Sequence, residues 1–239
     1  MREETINILS EGARRLGEEL SPRQLSLVDL YLQELLTQSR RLNLSAVTEE
    51  KEAARKHFID SWTCCRAIGR CGSLIDVGSG AGLPGLPIKI IRPRLSVTLL
   101  ESVAKKAAFL LAVVERLNLP GVTVVTGRAE TEGRRPQHRE RYDYATCRAV
   151  GSMAVVAELC LPLLRVGGVL IAQRGKEGEQ EAARAAPGLA CLGGRLKEVV
   201  SVKPFTGADN FLVLIEKIGP TPEPYPRRSG MPQKRPLWK

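Results

Sequence analysis

The sequence predicts an α/β fold in which a helical segment precedes a seven-stranded, mostly parallel, Rossmann-like sheet. Two observations carry this prediction. The first 70 residues show only the three-to-four spacing of apolar residues that is typical of amphipathic helices. From residue 71 onward, short β-type runs alternate with helical stretches, as in a parallel sheet covered by helices. A chain of 239 residues can bury one substantial core with additions at its ends.

The helical segment, residues 1–70, contains three predicted helices. An apolar stripe over residues 5–20 indicates the first helix, and Ser21-Pro22 supplies an N-cap and a first-position proline for the second. The second stripe continues to Leu36. The third helix is expected from Thr48 to about Ile68.

Seven β-type runs follow in residues 71–219, which we expect to form one domain. Helices over residues 83–91 and 103–118, and a third one ending near residue 164, are expected between the early runs. The last two runs lie close enough in the chain to pair as an antiparallel couple. The runs are SLIDVG (73–78), SVTLLES (96–102), GVTVVTG (121–127), YDYATCRA (142–149), VLIAQR (169–174), LKEVVSVKPF (196–205) and NFLVLIEKI (210–218).

The composition limits the partners and the compartment. Lys and Arg outnumber Asp and Glu by 36 to 26, and this net charge of +10 favours an acidic partner such as nucleic acid. The six cysteines form no CxxC pair and there are only two histidines, so we expect no metal site and no disulfides, and a reducing cytoplasm. No signal peptide and no apolar run of ~20 residues is evident. We expect a monomer without a membrane partner.

Four glycines crowd the stretch DVGSGAGLPG between the first β-type run and a helix, where the backbone can closely approach a nucleotide cofactor. Gly80, Gly82 and Gly85 match the G-x-G-x-x-G spacing of dinucleotide enzymes, so an NAD-dependent oxidoreductase is one alternative. However, the prolines at positions 84 and 87 lack the backbone N–H groups that a pyrophosphate would need.

Residues that follow three successive strands favour S-adenosylmethionine as the cofactor. Asp76 ends the first strand, Glu101 ends the second, and Ala129-Glu130 follows the third. We expect Asp76 near the amino group of the ligand, Glu101 at the ribose hydroxyls, and the Ala129-Glu130 pair along the adenine edge. One elongated ligand across the carboxyl edge of the sheet accounts for all three positions. The predicted fold is therefore that of a class I S-adenosylmethionine-dependent methyltransferase.

The segment YDYATCRAVGSM, at the fourth strand, narrows the choice of methyl acceptor. It lacks the Asn/Asp-Pro-Pro-aromatic stretch that is common in enzymes methylating exocyclic amines. Cys147 is a candidate nucleophile for cytosine C5 methylation, but no second positioned cysteine or base accompanies it, so we interpret it as a buried strand residue. An acceptor such as guanine N7 has an in-plane lone pair and requires alignment rather than a general base. Arg148 could hold the cofactor or the guanine.

Five stretches occur in a family-specific order: NLSAVTEEKEAARKHFIDS, DVGSGAGLPGLPIKIIRP, TLLESVAKKAAFL, GRAE and RAV. With these stretches the sequence resembles the bacterial 16S rRNA small subunit methyltransferase G family, also called glucose-inhibited division protein B, over essentially its whole length. The resemblance implies transfer of a methyl group from S-adenosylmethionine to N7 of a guanosine in the 530 loop of 16S rRNA, in the cytoplasm.

The resemblance also assigns roles to individual residues. It makes Arg148 and His57 the catalytic candidates, and it implies that Asn43-Leu44-Ser45 caps the cofactor pocket or faces the RNA. Together with the glycine pattern, it implies cofactor contacts at Asp76, Gly78, Gly80, Leu83, Glu101, Ala129, Glu130 and Arg148.

Basic residues outside the cofactor site are candidates for contact with 16S rRNA in the small ribosomal subunit. The family usually has Lys-Gly after the fifth strand, whereas this chain has Arg174-Gly175 followed by Lys176. The proline-rich tail, residues 220–239, is either a disordered segment or an RNA-contacting arm. As an arm it would use Arg227, Arg228, Lys234 and Arg235. A non-catalytic ribosome-assembly factor is a further alternative.

Overall fold

A computed structural model of the protein describes residues 1–42 and 44–238. Its strands are β1 Gly72–Val77, β2 Leu95–Glu101, β3 Val122–Thr126, β4 Tyr142–Arg148, β5 Leu164–Arg174, β6 Gly194–Ser201 and β7 Phe211–Lys217. Its α-helices are α1 Glu3–Arg15, α2 Pro22–Leu42, α3 Glu50–Ala53, α4 Asp60–Thr63, α5 Gly85–Ile91, α6 Ala104–Arg116, α7 Ala129–Glu132, α8 Met153–Cys160, α9 Gly178–Ala185, α10 Lys203–Thr206 and α11 Met231–Lys234. A π-helix, Ala54–Ile59, joins α3 to α4, and 3₁₀ turns occur at Cys64–Arg66, Leu161–Leu163 and Ala186–Leu192.

The strands form one seven-stranded sheet in the order β3-β2-β1-β4-β5-β7-β6. The first five strands are parallel, whereas β7 pairs antiparallel with both β5 and β6. The predicted sheet and the antiparallel couple at its end are thus confirmed. The strand order reverses between β1 and β4, and ligands of such sheets bind beyond the carboxyl ends of the strands at this point.

Several elements differ from the sequence prediction. The sixth β-type run is expected over residues 196–205, but β6 ends at Ser201 and Lys203–Thr206 forms α10. The first helix ends at Arg15 rather than near residue 20, because Gly17 adopts a left-handed conformation (φ 75°) that closes the helix end. The fourth β-type run is followed by a shorter helix than expected, and β5 begins at Leu164 directly after a 3₁₀ turn that contains Pro162. The sequence analysis contains no counterpart of α9, which buries only small side chains such as Ala182 and Ala185.

Helices α1 and α2 lie on one face of the sheet and extend its core. Leu9, Tyr31 and Trp62 belong to the same buried cluster as Leu74 of β1 and Leu99 of β2. The other face is covered by α8 and α9. Helices on both faces explain why the central strands have apolar side chains on both sides.

The predicted N-cap of α2 is confirmed. The Ser21 hydroxyl accepts a hydrogen bond from the Gln24 backbone N–H (3.3 Å), and the Ser21 N–H donates to Gln24 Oε1 (2.9 Å). This reciprocal pair is a capping box, and Pro22 occupies the first helical position.

The C-terminal strap, residues 220–238, is folded against the rest of the chain and is therefore not the disordered tail of the first alternative. Arg139 donates to the backbone carbonyls of Thr221 (2.7 Å) and Tyr225 (2.8 Å). The Arg227 guanidinium donates to both carboxylate oxygens of Glu158 (2.8 and 2.6 Å), whose side chain is fully buried in α8. These bonds fix the strap across the α8 face of the sheet.

Helical segments that could cross a membrane are absent from the described part of the chain. Within the same residues, no three His, Cys, Asp or Glu side chains are grouped so that they could hold a metal ion.

Replacing Arg227 by Ala should lower the free energy of unfolding by about 3–5 kcal/mol, because the buried Glu158 carboxylate loses its charged partner. Arg228, the next residue, is exposed, so Arg228→Ala should change stability by no more than about 0.5 kcal/mol. Denaturant unfolding of the two variants measures this difference. Equal losses would show that the ion pair with Glu158 does not hold the strap.

Candidate active site

The glycine turn connects β1 to α5 at the point where the strand order reverses. Gly78, Gly80 and Gly82 have φ values of 73°, 57° and 95°, which side chains rarely adopt. Two of them also sit in close contact: a Cβ on Gly78 would lie 2.8 Å from Val150, and one on Gly82 would lie 2.5 Å from Leu86. Around Gly80, in contrast, a Cβ would meet only its own turn, so this side of the loop is open to a ligand.

The backbone N–H groups of the turn are committed within the chain. The N–H of Gly80 donates to Glu101 Oε2 (2.8 Å), that of Gly82 donates to the Ser79 carbonyl (2.7 Å), and that of Gly85 donates to Asp76 Oδ2 (3.1 Å). Pyrophosphate binding at a helix N-terminus depends on such groups being free. The turn therefore fits a cofactor without phosphate better than it fits NAD.

Asp76 supports the turn from behind. Its side chain is 1 % exposed, and both oxygens are bonded to protein: Oδ2 to the Gly85 N–H and Oδ1 to the Thr146 hydroxyl (2.9 Å) on β4. Burial raises the pKa of Asp76 to about 6, and these hydrogen bonds oppose the rise. Its oxygens join β1, β4 and α5, and its expected contact with the ligand amino group stays a prediction.

Glu101 lies at the end of β2 beside the glycine turn. Its Oε2 accepts from the Gly80 N–H, and its Oε1 accepts from the Val103 N–H (2.7 Å). The carboxylate is therefore held at the open side of Gly80, within the reach expected for a ribose-binding acid. We retain Glu101 as a cofactor contact on this geometry.

The Ala129-Glu130 pair begins α7, immediately beyond β3, and both residues are buried. Glu130 Oε1 accepts a hydrogen bond from the Gly230 N–H of the strap (2.8 Å). The strap also reaches the loop after β4, since a Cβ on Gly151 would lie 2.9 Å from Gln233 Oε1. The strap thus contacts two loops that border the expected cofactor site. The sequence carried no signal for these contacts.

Arg148, the last residue of β4, is the centre of a polar cluster that includes His57. Its Nη1 donates to the Lys56 carbonyl (3.1 Å) and to Asp60 Oδ2 (3.3 Å), and its Nη2 lies 3.1 Å from His57 Nδ1. Residue Ala149 follows with φ 57°, a strained conformation of the kind that occurs at functional sites. His57 itself lies in the π-helix, whose wide turn is also common at such sites.

The hydrogen bonds define the state of His57. An arginine can only donate, so Nδ1 is the acceptor and Nε2 carries the proton that bonds the Ser45 hydroxyl (2.7 Å). Burial, followed by the charge of Arg148, lowers the pKa of His57 from 6.5 to about 4. His57 is thus a neutral residue that orients Arg148, and its expected place among the catalytic residues stays a prediction.

Two members of the cluster were not found from the sequence. Gln173 of β5 donates its Nε2 to Asp60 Oδ2 (2.8 Å) and to the Asp60 carbonyl (3.0 Å). Asn210 lines the open cleft beside this cluster; burial raises the pKa of Asp60, whereas Arg148, followed by Asn210 and Gln173, lowers it. Gln173 lies in an apolar β-type run, and its partner is 113 residues away, so no local pattern could reveal the pair.

An open cleft of about 1250 Å³ adjoins this cluster at the edge of the sheet where β4 and β5 end and the antiparallel β7 begins. His57, Asp60, Arg148 and Gln173 form part of its wall. Gly78, Gly80 and Glu101 are not among the residues that line it.

The basic residues expected to contact RNA divide into two groups. Arg174 donates to the Gly151 carbonyl (3.0 Å) and to Glu181 of α9, and only 12 % of its side chain is exposed. Arg174 and Arg227 thus hold other parts of the protein in place, and their expected contact with RNA stays a prediction. The exposed members of the set are Lys176, Arg228, Lys234 and Arg235. In the motif Asn43-Leu44-Ser45, Asn43 lies outside the described residues.

Comparisons with known sequences agree with these features. A family model described as rRNA small subunit methyltransferase G matches residues 24–206. The chain is 47 % identical to the ribosomal RNA small subunit methyltransferase G of Pelotomaculum thermopropionicum, over 96 % of this chain and 97 % of that protein. It is 48 % identical to the enzyme of the same name from Roseiflexus sp. (strain RS-1), over 97 % of this chain and 100 % of that protein.

Similar solved structures show the fold. A SAM dependent methyltransferase from Aquifex aeolicus aligns with a TM-score of 0.54 at 16 % identity, covering 77 % of this chain and 98 % of that one. A 16S rRNA (adenine(1408)-N(1))-methyltransferase from Catenulisporales acidiphilia, with cosubstrate SAM, aligns with a TM-score of 0.52 at 16 % identity, covering 68 % of this chain and 92 % of that one. The predicted methyltransferase fold is confirmed.

Gly78→Ala should weaken S-adenosylmethionine binding by at least about tenfold, because the added methyl group displaces either the turn or Val150. Gly17 provides the matched control, since it has nearly the same φ (75°) but no atom lies within 4 Å of the position that a Cβ would take. Gly17→Ala should therefore leave cofactor affinity unchanged. Calorimetric titration of both variants checks the assignment, and equal affinities would contradict it.

His57 should titrate with a midpoint of about 4 when its imidazole resonances are followed by NMR. Since its pKa is lower in the folded state than the unperturbed 6.5, folding stability should fall as pH decreases from about 6.5 to about 4. His57→Asn keeps an acceptor for Arg148 but does not titrate, so this variant should lose that part of the pH dependence. A midpoint near 6.5 would contradict the bond to Arg148.

Proposed function

Because the chain belongs to the rRNA small subunit methyltransferase G family, and is thus an S-adenosylmethionine-dependent methyltransferase of 16S rRNA, we propose that its acceptor is N7 of a guanosine in the 530 loop. The observation that best supports this acceptor is that the two titratable side chains bonded to Arg148, His57 and Asp60, act as hydrogen-bond acceptors within the protein. His57 Nδ1 accepts from Arg148, and the Asp60 carboxylate accepts from Arg148 and Gln173. Guanine N7 carries a lone pair and no proton, so its methylation needs no base.

A covalent route through a cysteine has no support. Cys147 is 2 % exposed within β4 and belongs to the same buried apolar cluster as Cys160 of α8. The neighbouring Cys147 thiol and burial raise the pKa of Cys160, and thiols buried in apolar surroundings are inert. The geometry is thus unfavourable for cytosine C5 methylation, which leaves direct attack by the acceptor as the simplest reaction.

In this proposal, one group of residues binds the cofactor, and Arg148 aligns the acceptor. When bound, the cofactor supplies an electrophilic methyl group, and transfer leaves one positive charge on the base. In the proposed arrangement, Glu101 holds the ribose end, the Gly78–Gly80 turn lies along the cofactor, Ala129 and Glu130 border the adenine, and Leu83 packs at the base of the turn. Arg148, fixed by three hydrogen bonds, aligns the acceptor.

We propose that the acceptor RNA lies over the cleft and contacts the exposed basic residues of both flanks. Lys51, Arg55 and Lys56 line the cleft on the side of the third helix. Lys176 follows β5 at the same edge, and Arg228, Lys234 and Arg235 extend from the strap. Such contacts to phosphates would position the RNA without reading its sequence. We further propose that the enzyme acts as a monomer in the cytoplasm.

The proposed function predicts one product at one position. Incubating the protein with labelled S-adenosylmethionine and small ribosomal subunits that lack the modification should label 16S rRNA, with chemical cleavage at 7-methylguanosine only in the 530 loop. Glu101→Gln keeps the size of the side chain but removes its charge, so it should weaken cofactor binding and lower transfer by at least about tenfold.

The other results have distinct meanings. Label without that cleavage would rule out the N7 assignment but not the methyltransferase. Tight subunit binding without label would favour the non-catalytic assembly factor. A parallel titration with NAD should show no binding, and binding of NAD alone would revive the oxidoreductase alternative.

A further inference from the structure

We infer that Arg148, Asp60 and Gln173 form a guanine-recognition site, in which Arg148 donates to O6, Asp60 accepts from N1–H, and Gln173 Oε1 accepts from the N2 amine. This inference rests on the proposed function and deepens it, because it names the groups that select the base. All three side chains belong to the wall of the open cleft beside the cofactor site.

Hydrogen-bonding capacity remains at each of the three residues. A guanidinium carries five N–H groups; those of Arg148 make three bonds, so two remain, and 24 % of the side chain is exposed. The Asp60 carboxylate offers about four acceptor positions, and Arg148 and Gln173 use two of them, both at Oδ2. Arg148 thus keeps donors, and Asp60 keeps acceptor capacity, next to each other.

Gln173 provides the independent observation. Its side-chain nitrogen makes two bonds to Asp60, which fix the plane of the amide, and the residue is only 8 % exposed. Its Oε1 is buried and has no hydrogen-bond donor among residues 1–42 and 44–238. An unpaired buried acceptor is unfavourable, so the site is more stable when a ligand brings an N–H to this atom.

The order of these groups matches guanine and opposes adenine. Guanine presents an acceptor, O6, next to a donor, N1–H, whereas adenine presents the N6 donor next to the N1 acceptor. Arginine cannot accept a hydrogen bond and an ionised carboxylate cannot donate one, so the fixed pair of Arg148 and Asp60 would leave adenine with two unpaired contacts. The ion pair between Arg148 and Asp60 therefore reads the base as well as holding the site together.

The order of the strands also orients N7. Around the guanine ring the atoms follow as N7, O6, N1 and N2, and across the sheet the strands follow as β1, β4 and β5. The glycine turn follows β1, Arg148 ends β4, and Gln173 lies near the end of β5. Asp60 is bonded to both Arg148 and Gln173. Placing O6 at Arg148 and N2 at Gln173 directs N7 towards the cofactor side.

The test combines side-chain and base substitutions. Methyl transfer is measured on small subunits reconstituted with guanosine or with inosine, which lacks the N2 amine, at the target position. The wild-type protein should prefer guanosine by about tenfold in kcat/KM. Gln173→Met should treat the two bases alike, because the acceptor for the amine is gone. A purely structural role for Gln173 would lower both rates and leave the preference unchanged.

Asp60→Asn should lower kcat/KM for guanosine by about 100-fold while the Kd of S-adenosylmethionine stays within twofold. Glu52 lines the same cleft but pairs with Lys56, so Glu52→Gln is the matched control and should leave kcat/KM unchanged. Wild-type rates in Asp60→Asn, or an undiminished guanosine preference in Gln173→Met, would overturn the inference. Should Asp60→Asn fail to fold, the inosine comparison still decides. If the wild-type protein does not methylate N7 at all, the proposed function fails instead.

Discussion

The site depends on one buried carboxylate, that of Asp76. Its two oxygens bond the first N–H of α5 and a hydroxyl on β4, so β1, β4 and the glycine turn are held in one arrangement. Without these bonds, Asp76 would no longer fix the glycine turn relative to β4 at the point where the strand order reverses. The high pKa that burial imposes on this group shows that the chain tolerates an unfavourable environment for the carboxylate in order to fix the turn.

The acceptor side of the site is also held by hydrogen bonds between distant parts of the chain. Arg148 is held from the π-helix by His57 and the Lys56 carbonyl, and from α4 by Asp60. The amino-terminal helices are therefore more than a cover for the sheet, since they supply half of the polar cluster. A rigid donor at a defined position is what an alignment-driven reaction requires, because a small displacement of reacting atoms is costly.

The sequence predicted the parts of the molecule that depend on local patterns. The strands were identified because their apolar β-branched runs are short and bounded by turns, and the cap at Ser21 because it involves residues three apart. Glu101 followed from its position at a strand end. Contacts between distant residues had no such signal. The role of Gln173 depends on its bonds to Asp60, and that of Arg227 on its bonds to Glu158, each in a distant part of the chain. Net charge likewise could not separate arginines that face solvent from those, such as Arg139, that clamp backbone carbonyls.

The residues of the strap are synthesised after the residues to which they are bonded. Glu130 and Glu158 are bonded by Gly230 and Arg227, which are made 100 and 69 residues later. A ribosome synthesises domains from the amino end, so the central sheet can collapse while both carboxylates still lack these partners. The segment bordering the expected cofactor site therefore acquires these two partners only after residues 227 and 230 have been synthesised.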